Sequence, residues 1–229
     1  MKKYLISATL LLSSGAFIVT TTQSCTALAS SSVGLTILKQ ILLGGISKGV
    51  SIFSDKNSFL ANQLIDAAMP QKLKDVNSTL EKLGLSNLVA KEKDYIAQAA
   101  SFTVTTAQPI LENAVNNLTP EDAAKIAQGG TGAATQLLKE RTATQLMAAI
   151  SPKVESKLNE FGIVKTLNTA LAGSNMLGSL LGGSSSSSSS LTGGLSKFAS
   201  EQMVNGLFAI IQNSETNNAS KIMGALGVK

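Results

Sequence analysis

Apolar side chains recur every three or four residues along most of the chain, which is the spacing that places them on one face of an α-helix. The first such segment contains Leu35, Leu38, Ile41, Leu42, Ile46, Val50 and Phe53. Gly44 and Gly45 lie within it and predict a weakened or bent helix. After Pro70, which suits a helix start, a second stripe ends at Gly84 and contains Leu73, Val76, Leu80 and Leu83.

The centre of the chain continues with signals for helix starts and ends. Residues 88–117 predict a long helix, and Pro109 predicts a kink or a break within it because proline removes a backbone donor and crowds the preceding turn. The run Thr119-Pro120-Glu121-Asp122 combines a capping hydroxyl, a proline and two first-turn acids, and therefore predicts a helix that starts there and ends at Gly129-Gly130.

Two further helices are predicted before the composition changes. Thr142 with Gln145 matches a second capping box. Ser151-Pro152 predicts the start of another helix, which runs through Phe161 and ends at Gly162. Short turns between successive helices predict antiparallel neighbours.

The composition shifts to glycine and serine after Ala172, with an unbroken serine tract over 184–190. This composition predicts a flexible loop over 173–194. Helical periodicity returns in 195–212, followed by a short helix around 222–226. We therefore predict an all-α fold, a single antiparallel helical bundle over 33–229 with a Gly/Ser-rich loop before the last helices.

The N-terminus has the pattern of a secretory signal. Lys2 and Lys3 precede a charge-free, largely apolar run over 4–24, so residues 1–24 are predicted to be a signal peptide and 25–32 a tether. A retained membrane helix is the alternative, although the polar end of the run, over 20–24, argues against it.

Cys25, the single cysteine of the chain, follows this run directly, and Thr22-Gln23-Ser24-Cys25 resembles a relaxed lipoprotein box. We therefore predict lipid attachment at Cys25 and a location in the cell envelope, on the periplasmic side of a bacterial membrane. Two acyl chains hold a protein stably on a bilayer. The alternative is cleavage after Ala27-Leu28-Ala29, before Ser30, which predicts a soluble periplasmic protein.

Composition excludes several chemistries. The chain has no histidine and one cysteine, so it offers no Ser-His-Asp or Cys-His nucleophile and no His or Cys cluster for zinc, iron or haem. The formal charge of +5 includes Lys2 and Lys3, and the other lysines are spread mostly singly, so we predict no nucleic-acid partner. We predict no catalytic residue, no metal and no cofactor.

Three charged residues are the candidates for a ligand site. Arg141 is the single arginine among the 19 lysine and arginine residues, and its planar guanidinium can bind one anion through two hydrogen bonds. Pairing with Glu121 or Asp122 across the bundle is the commoner use of such a residue and the reading we favour. Glu121 and Asp122 also form the one strongly placed acid pair, but both lie where a helix start favours acids.

The run Gly129-Gly130-Thr131-Gly132-Ala133-Ala134 has the glycine content of a phosphate-binding loop. Its context differs, because it follows a capped helix instead of a strand, and no Lys-Ser or Lys-Thr follows at the required spacing. The run therefore predicts a helix end and a turn.

The segment LTPEDAAKIAQGGTGAATQLLKERTATQLMAAISPKVESKLNEFG, residues 118–162, resembles the bacterial domain of unknown function 4197. Further similarity lies in 54–83 and in Asn205-Gly206-Leu207-Phe208, so that the resemblance covers most of 33–215. It implies an exported or lipid-attached helical protein and no particular activity. The chain departs from the family in its Gly/Ser-rich connection after Ala172 and in a mostly uncharged polar segment around Glu215, where the family usually has a charged one.

These observations favour a non-enzymatic, lipid-anchored envelope protein that binds a protein partner or an apolar ligand between its helices. The alternatives are a hydrolase or lyase that uses carboxylates and Arg141 in an inter-helix cleft, and a membrane-active protein whose 173–194 loop and last helices insert into a bilayer. The sequence leaves these alternatives open.

Overall fold

The structure is a computed structural model of the chain, and it describes residues 32–163, 165, 166, 169 and 188–228. The regular elements of this described part are nine α-helices, which confirms the predicted all-α fold. They are α1 Ser32–Ser54, α2 Lys56–Leu60, α3 Gln63–Ala67, α4 Gln71–Lys82, α5 Ser86–Asn116, α6 Pro120–Gly129, α7 Ala133–Glu160, α8 Ser188–Asn217 and α9 Ala219–Ala225.

The four long helices form an antiparallel bundle. Helix α1 packs against α5 and α8, and α7 packs against the same two helices, so the four close into a ring. Lys39 Nζ donates to the Asn116 carbonyl at 2.7 Å near the start of α1, whereas Lys56 pairs with Asp94 at 2.7 Å just beyond its end. Helices α1 and α5 therefore run in opposite directions.

The same reasoning orients the other two long helices. Tyr95, early in α5, stacks on Phe161 at the end of α7, with ring centroids 4.9 Å apart. The start of α7 lies beside Glu215, near the end of α8. The chain thus runs up, down, up and down, and we call the end at which α7 starts and α8 ends the lower end. Helix α2 packs against α5, α3 packs against α8, and α4 packs against both, while α6 and α9 pack against α1.

Helix α1 belongs to the core. By length and composition alone it is long and apolar enough to cross a membrane, a property that the sequence analysis did not single out. In the structure its apolar stripe of Leu38, Leu42, Ile46 and Phe53 is buried in the bundle. The buried apolar residues of all the helices form one cluster, as expected for a single helical core.

Two glycines of α1 allow a close helix contact that the sequence did not predict. Helix α1 is continuous through Gly44 and Gly45. A Cβ atom added at Gly49 would lie 2.5 Å from Leu207 Cδ1, and one added at Gly45 would lie 3.2 Å from Ser214 Cβ. Both glycines therefore allow α8 to approach α1 closely, whereas a Cβ at Gly44 would meet nothing within 4 Å.

Three predicted boundaries also differ from the structure. Helix α5 continues through Pro109 without a break. Helix α7 runs unbroken from Ala133 to Glu160, so Thr142 is not a cap: it is buried, and its hydroxyl donates to the Leu138 carbonyl at 2.7 Å. The predicted helix start at Pro152 is likewise inside α7. The reason is a buried stripe that continues across both positions: Leu138, Thr142, Leu146, Ile150, Val154 and Leu158.

Helix α8 begins at Ser188, inside the segment predicted to be a flexible loop over 173–194. The loop prediction is therefore wrong for residues 188–194. These residues continue the helix of the apolar segment that follows, and tertiary packing routinely overrides a weak helix propensity. Residues 173–187, like the signal segment and Cys25, lie outside the described residues.

A pair of identical substitutions tests the role of the glycines. Gly49→Leu is expected to lower the free energy of unfolding by about 2 kcal/mol or more, because the added side chain overpacks the contact with Leu207. Gly44→Leu, in the same helix, is expected to leave it unchanged or to raise it by up to about 1 kcal/mol through helix propensity. Urea denaturation measures both, and equal effects would contradict the close-approach role.

Candidate functional site at the glycine turn

The start of α6 is held by the predicted cap. Thr119 Oγ1 accepts a hydrogen bond from the Asp122 amide at 3.2 Å, and Asp122 Oδ2 accepts one from the Thr119 amide at 2.9 Å. This reciprocal arrangement is a capping box, with Pro120 in the first turn. Asp122 is buried and its carboxylate points into the protein, whereas Glu121 is exposed.

Arg141 of α7 reaches this carboxylate. Its Nη1 donates to Asp122 Oδ2 at 2.9 Å and its Nη2 donates to Oδ1, which makes a two-point ion pair. The Arg141 hydrogen bond is the main reason why the pKa of Asp122 is lowered. Of the three candidate residues, the structure therefore brings Asp122 and Arg141 together and leaves Glu121 at the surface. The ion pair fastens α6 to α7.

The glycine run between these helices forms a tight turn. Helix α6 ends at Gly129, and the Gly130 amide donates to the Ile126 carbonyl at 3.2 Å, as predicted for a helix end. Gly130 has a φ of 73° and Gly132 a φ of 92°, both in the region that favours glycine. Helix α7 starts at the next residue, Ala133.

The first amides of α7 hold an anion, and that anion belongs to the chain itself. The amides of Gly132, Ala134 and Thr135 donate to the carboxylate of Glu215 at 3.0, 3.1 and 2.8 Å. The Thr135 hydroxyl donates to the same group at 2.5 Å. Amides at a helix start attract negative charge, so an internal carboxylate takes the place that a phosphate takes in a nucleotide-binding loop.

Glu215 is not among the site residues predicted from the sequence, and the segment around it is mostly uncharged. One signal was present, because Glu215 is the single acid after Glu201. In the structure Glu215 is buried at 2% exposure, where an unpaired carboxylate would be costly. Its four hydrogen bonds therefore tie the end of α8 to the start of α7.

Replacing this carboxylate tests the tie. Glu215→Gln is expected to lower the free energy of unfolding by about 2 kcal/mol, because the amide keeps the shape but removes the charge and turns a donor towards backbone donors. Glu201→Gln, a half-buried residue of the same helix, is the control and should change it by less than about 0.5 kcal/mol. Similar losses in the two variants, measured by thermal unfolding, would count against the tie.

An open cleft of about 620 Å³ lies beside the glycine turn, between α6, α7 and α8. Its apolar lining includes Ile126, Leu137, Phe208 and Ala209. The charged and amide side chains that line it are Lys125, Gln136, Lys139, Glu140, Asn205 and Gln212. Because Glu121, Asp122 and Arg141 are not among the lining residues, the ion pair braces the cleft from outside.

Comparison with known proteins identifies the chain at the level of a family. A family model described as a protein of unknown function, DUF4197, matches residues 29–223. The chain belongs to the DUF4197 family. No curated protein and no solved structure matches it.

The match confirms the resemblance seen in residues 118–162 and extends it past Glu215. All the residues of the glycine turn and the cleft lie inside the span of the DUF4197 match, whereas Cys25 precedes it. The apolar segment before Cys25 is compatible with a signal peptide or a membrane anchor.

A second buried acid of this DUF4197 protein lies in the upper half of the bundle. Glu92 of α5 is 1% exposed, and neither of its carboxyl oxygens has a hydrogen-bond partner among the described residues. Burial raises the pKa of Glu92 from its ordinary value of 4.5 to about 7, against smaller lowering effects of Asn77 and Lys93. Protonation gives Glu92 a donor, and Asn77 Oδ1 is a buried acceptor that also has no partner in this part of the chain.

The raised pKa predicts a stability that depends on pH. A carboxyl whose folded pKa is raised stabilises the folded state while it is protonated, so its contribution is complete below about pH 4.5 and is lost as the pH rises through about 7. Glu92→Gln is neutral throughout. Its free energy of unfolding relative to the unmodified protein should therefore rise between pH 4.5 and 7.5 by up to about 3 kcal/mol.

Glu81→Gln, an exposed position on α4, is the control and should follow the unmodified protein across the same pH range. Urea denaturation at four or five pH values measures the difference. A Glu92→Gln curve parallel to that of the unmodified protein would contradict the raised pKa.

Proposed function

We propose that this DUF4197 protein is a lipid-anchored binding protein of the cell envelope, without catalytic activity, that holds an apolar ligand in the cleft between α6, α7 and α8. The observation that carries the proposal is the cleft itself. Its volume of about 620 Å³ lies within the range of roughly 300–1,000 Å³ typical of small-molecule sites. Its lining combines apolar side chains with a comparable number of charged and amide side chains, which can orient a bound ligand.

The surroundings of the cleft support a preformed site. The Asp122–Arg141 ion pair fixes α6 against α7, and the hydrogen bonds of Glu215 fix α8 against α7. All three walls are thus joined by polar contacts on both sides of the glycine turn. A site on braced helices loses little conformational freedom when a ligand binds.

The concave shape favours a small ligand over a protein partner, which was the other form of the binding hypothesis. The hydrolase alternative gains no support from the geometry. Both oxygens of Asp122 are engaged by Arg141 and the Thr119 amide, and Glu121 lies at the surface. Neither carboxylate is available in the cleft as an acid or a base.

The proposed location in the cell envelope rests on the N-terminal sequence. Lys2 and Lys3, the apolar run and the lipobox-like position of Cys25 support export, removal of the signal and attachment of lipid at Cys25. The protein would then face the periplasm from its membrane. Cleavage before Ser30 would instead release it as a soluble periplasmic protein.

Intact mass spectrometry of the protein extracted from its own membrane fraction tests both the lipid on Cys25 and the ligand in the cleft. Under denaturing conditions we expect a chain that begins at Cys25 and carries acyl groups. Under native conditions we expect an additional mass from the bound ligand, and Ala209→Trp, which fills the cleft, should remove it.

Ala90→Trp is the matched control, because Ala90 is exposed on α5 and does not line the cleft. It should retain the additional mass. A chain that begins at Ser30 without any adduct would overturn the anchor. An adduct that survives Ala209→Trp would overturn the assignment of the cleft.

A further inference from the structure

A strip of apolar side chains lies on the outside of the bundle, where α5 and α7 meet. Leu88, Tyr95 and Phe102 follow one another at intervals of seven residues, so they share one face of α5. From α7, Phe161 stacks on Tyr95 with ring centroids 4.9 Å apart, and Lys157 Nζ lies 4.4 Å from the centroid of the Phe102 ring. We call the strip of Leu88, Tyr95, Phe102 and Phe161 the aromatic seam.

The aromatic seam has the length and the shape of a groove for a helix. Fourteen residues of α5 lead from Leu88 to Phe102, which corresponds to about 21 Å or four helical turns. Tyr95 and Phe161 are half-buried between the two helices, whereas Phe102 is 48% exposed. Beyond Leu88 the seam opens into a hollow of about 540 Å³ that Lys165 also lines. Grooves of this kind bind the apolar face of an amphipathic helix.

Lysines lie on both sides of the aromatic seam. Lys91 is placed on α5 between Leu88 and Tyr95, and Lys153 is placed on α7 one turn before Lys157. Lys91 and Lys153 are exposed, and neither forms an ion pair with an acid in the part of the chain that the structure describes. Their charges are therefore available to a partner.

Two acids beside the seam are already paired. Glu160 pairs with Lys157 at 2.7 Å on α7, and Asp94, which precedes Tyr95, pairs with Lys56 of α2 at 2.7 Å. The surface thus combines exposed apolar side chains with positive charge that these acids do not neutralise. Such a surface is complementary to an apolar stripe that has acids on both sides.

We propose that the aromatic seam binds an amphipathic helix of a partner protein, with the apolar stripe of that helix on Phe102 and its acids beside Lys91 and Lys153. The seam is separate from the cleft between α6, α7 and α8, so the inference goes beyond the proposed function and does not depend on it. A bilayer fits less well, because an apolar face has to enter it by about 5–10 Å, whereas Tyr95 and Phe161 are half-buried in the groove.

Fluorescence anisotropy of the purified full-length protein with synthetic peptides tests the proposal. The probe is a fluorescent peptide of about 18 residues, long enough to cover the seam as a helix, with leucines in one helical stripe and glutamates on both sides of it. A second peptide has lysine in place of every glutamate, and a third has the composition of the first without the stripe. We expect the acidic amphipathic peptide to bind at least about tenfold more tightly than either of the others.

Two variants locate the binding on the aromatic seam. Phe102→Ala should weaken binding of the acidic amphipathic peptide about tenfold, because aromatic side chains carry much of the binding energy of protein interfaces. Lys91→Glu/Lys153→Glu should weaken it by a similar factor and should strengthen binding of the lysine peptide, because the charge of the surface is reversed.

The matched control is Lys48→Glu/Lys221→Glu, which reverses two exposed lysines on α1 and α9, away from the seam. It should leave the binding of each peptide unchanged. Ala209→Trp, which fills the cleft, should also leave it unchanged. Circular dichroism of each variant verifies that the bundle is folded.

Several results would overturn the proposal. These are equal binding of the acidic and the lysine peptides, no binding of the acidic peptide, and binding that neither Phe102→Ala nor Lys91→Glu/Lys153→Glu weakens. Phosphatidylglycerol vesicles provide a further test. If they bound the protein, lost that binding in the same two variants and the peptides did not bind, the partner helix would be wrong and the surface would belong to a bilayer.

Discussion

The carboxylate of Glu215 loses its contact with water when the helices pack together, and this desolvation costs free energy. The fold depends on the hydrogen bonds that offset this cost. Four donors at the start of α7 surround it, three from the backbone and one from Thr135. The backbone amides at a helix start have no partner within the helix, so the same contact satisfies both sides. It fixes α7 to α8 at the lower end, and the ion pair of Arg141 with Asp122 adds α6 to the same unit.

The two buried carboxylates of the bundle show opposite solutions to one problem. Glu215 is surrounded by donors, whereas neither carboxyl oxygen of Glu92 has a hydrogen-bond partner among the described residues. Hydrogen bonds satisfy the carboxylate oxygens of Glu215 inside the protein, and burial favours the protonated form of Glu92. The lower end is therefore held by the hydrogen bonds of a carboxylate, whereas the surroundings of Glu92 favour the uncharged carboxylic acid.

Local signals in the sequence predicted much of this structure. The cap at Thr119 and the helix end at Gly130 follow from side chains whose preferences act over one or two turns. The pairing of Arg141 with Asp122 joins two helices, and it was predicted because a single arginine follows a pair of acids. Glu215 could not be found in that way, because its partners lie about 80 residues earlier and its role appears only when α7 and α8 are neighbours. The same holds for Gly49, whose function is set by Leu207. The helix starts predicted at Thr142 and Pro152 are wrong, because burial outweighs local preference in a helix that lies in the core.

The buried stripe of α7 repeats every four residues, from Leu138 to Leu158. A helix turns by about 100° per residue, so each step of four residues advances the stripe by about 40°, and five steps carry it about halfway around the helix. The two ends of α7 thus turn different sides towards the core, with Thr135 against Glu215 of α8 at one end and Phe161 against Tyr95 of α5 at the other. Helix α7 works as a twisted connector between two faces of the bundle. Removing one residue from its middle would rotate one half relative to the other by about 100°, so that only one of the two ends could remain seated on its neighbour.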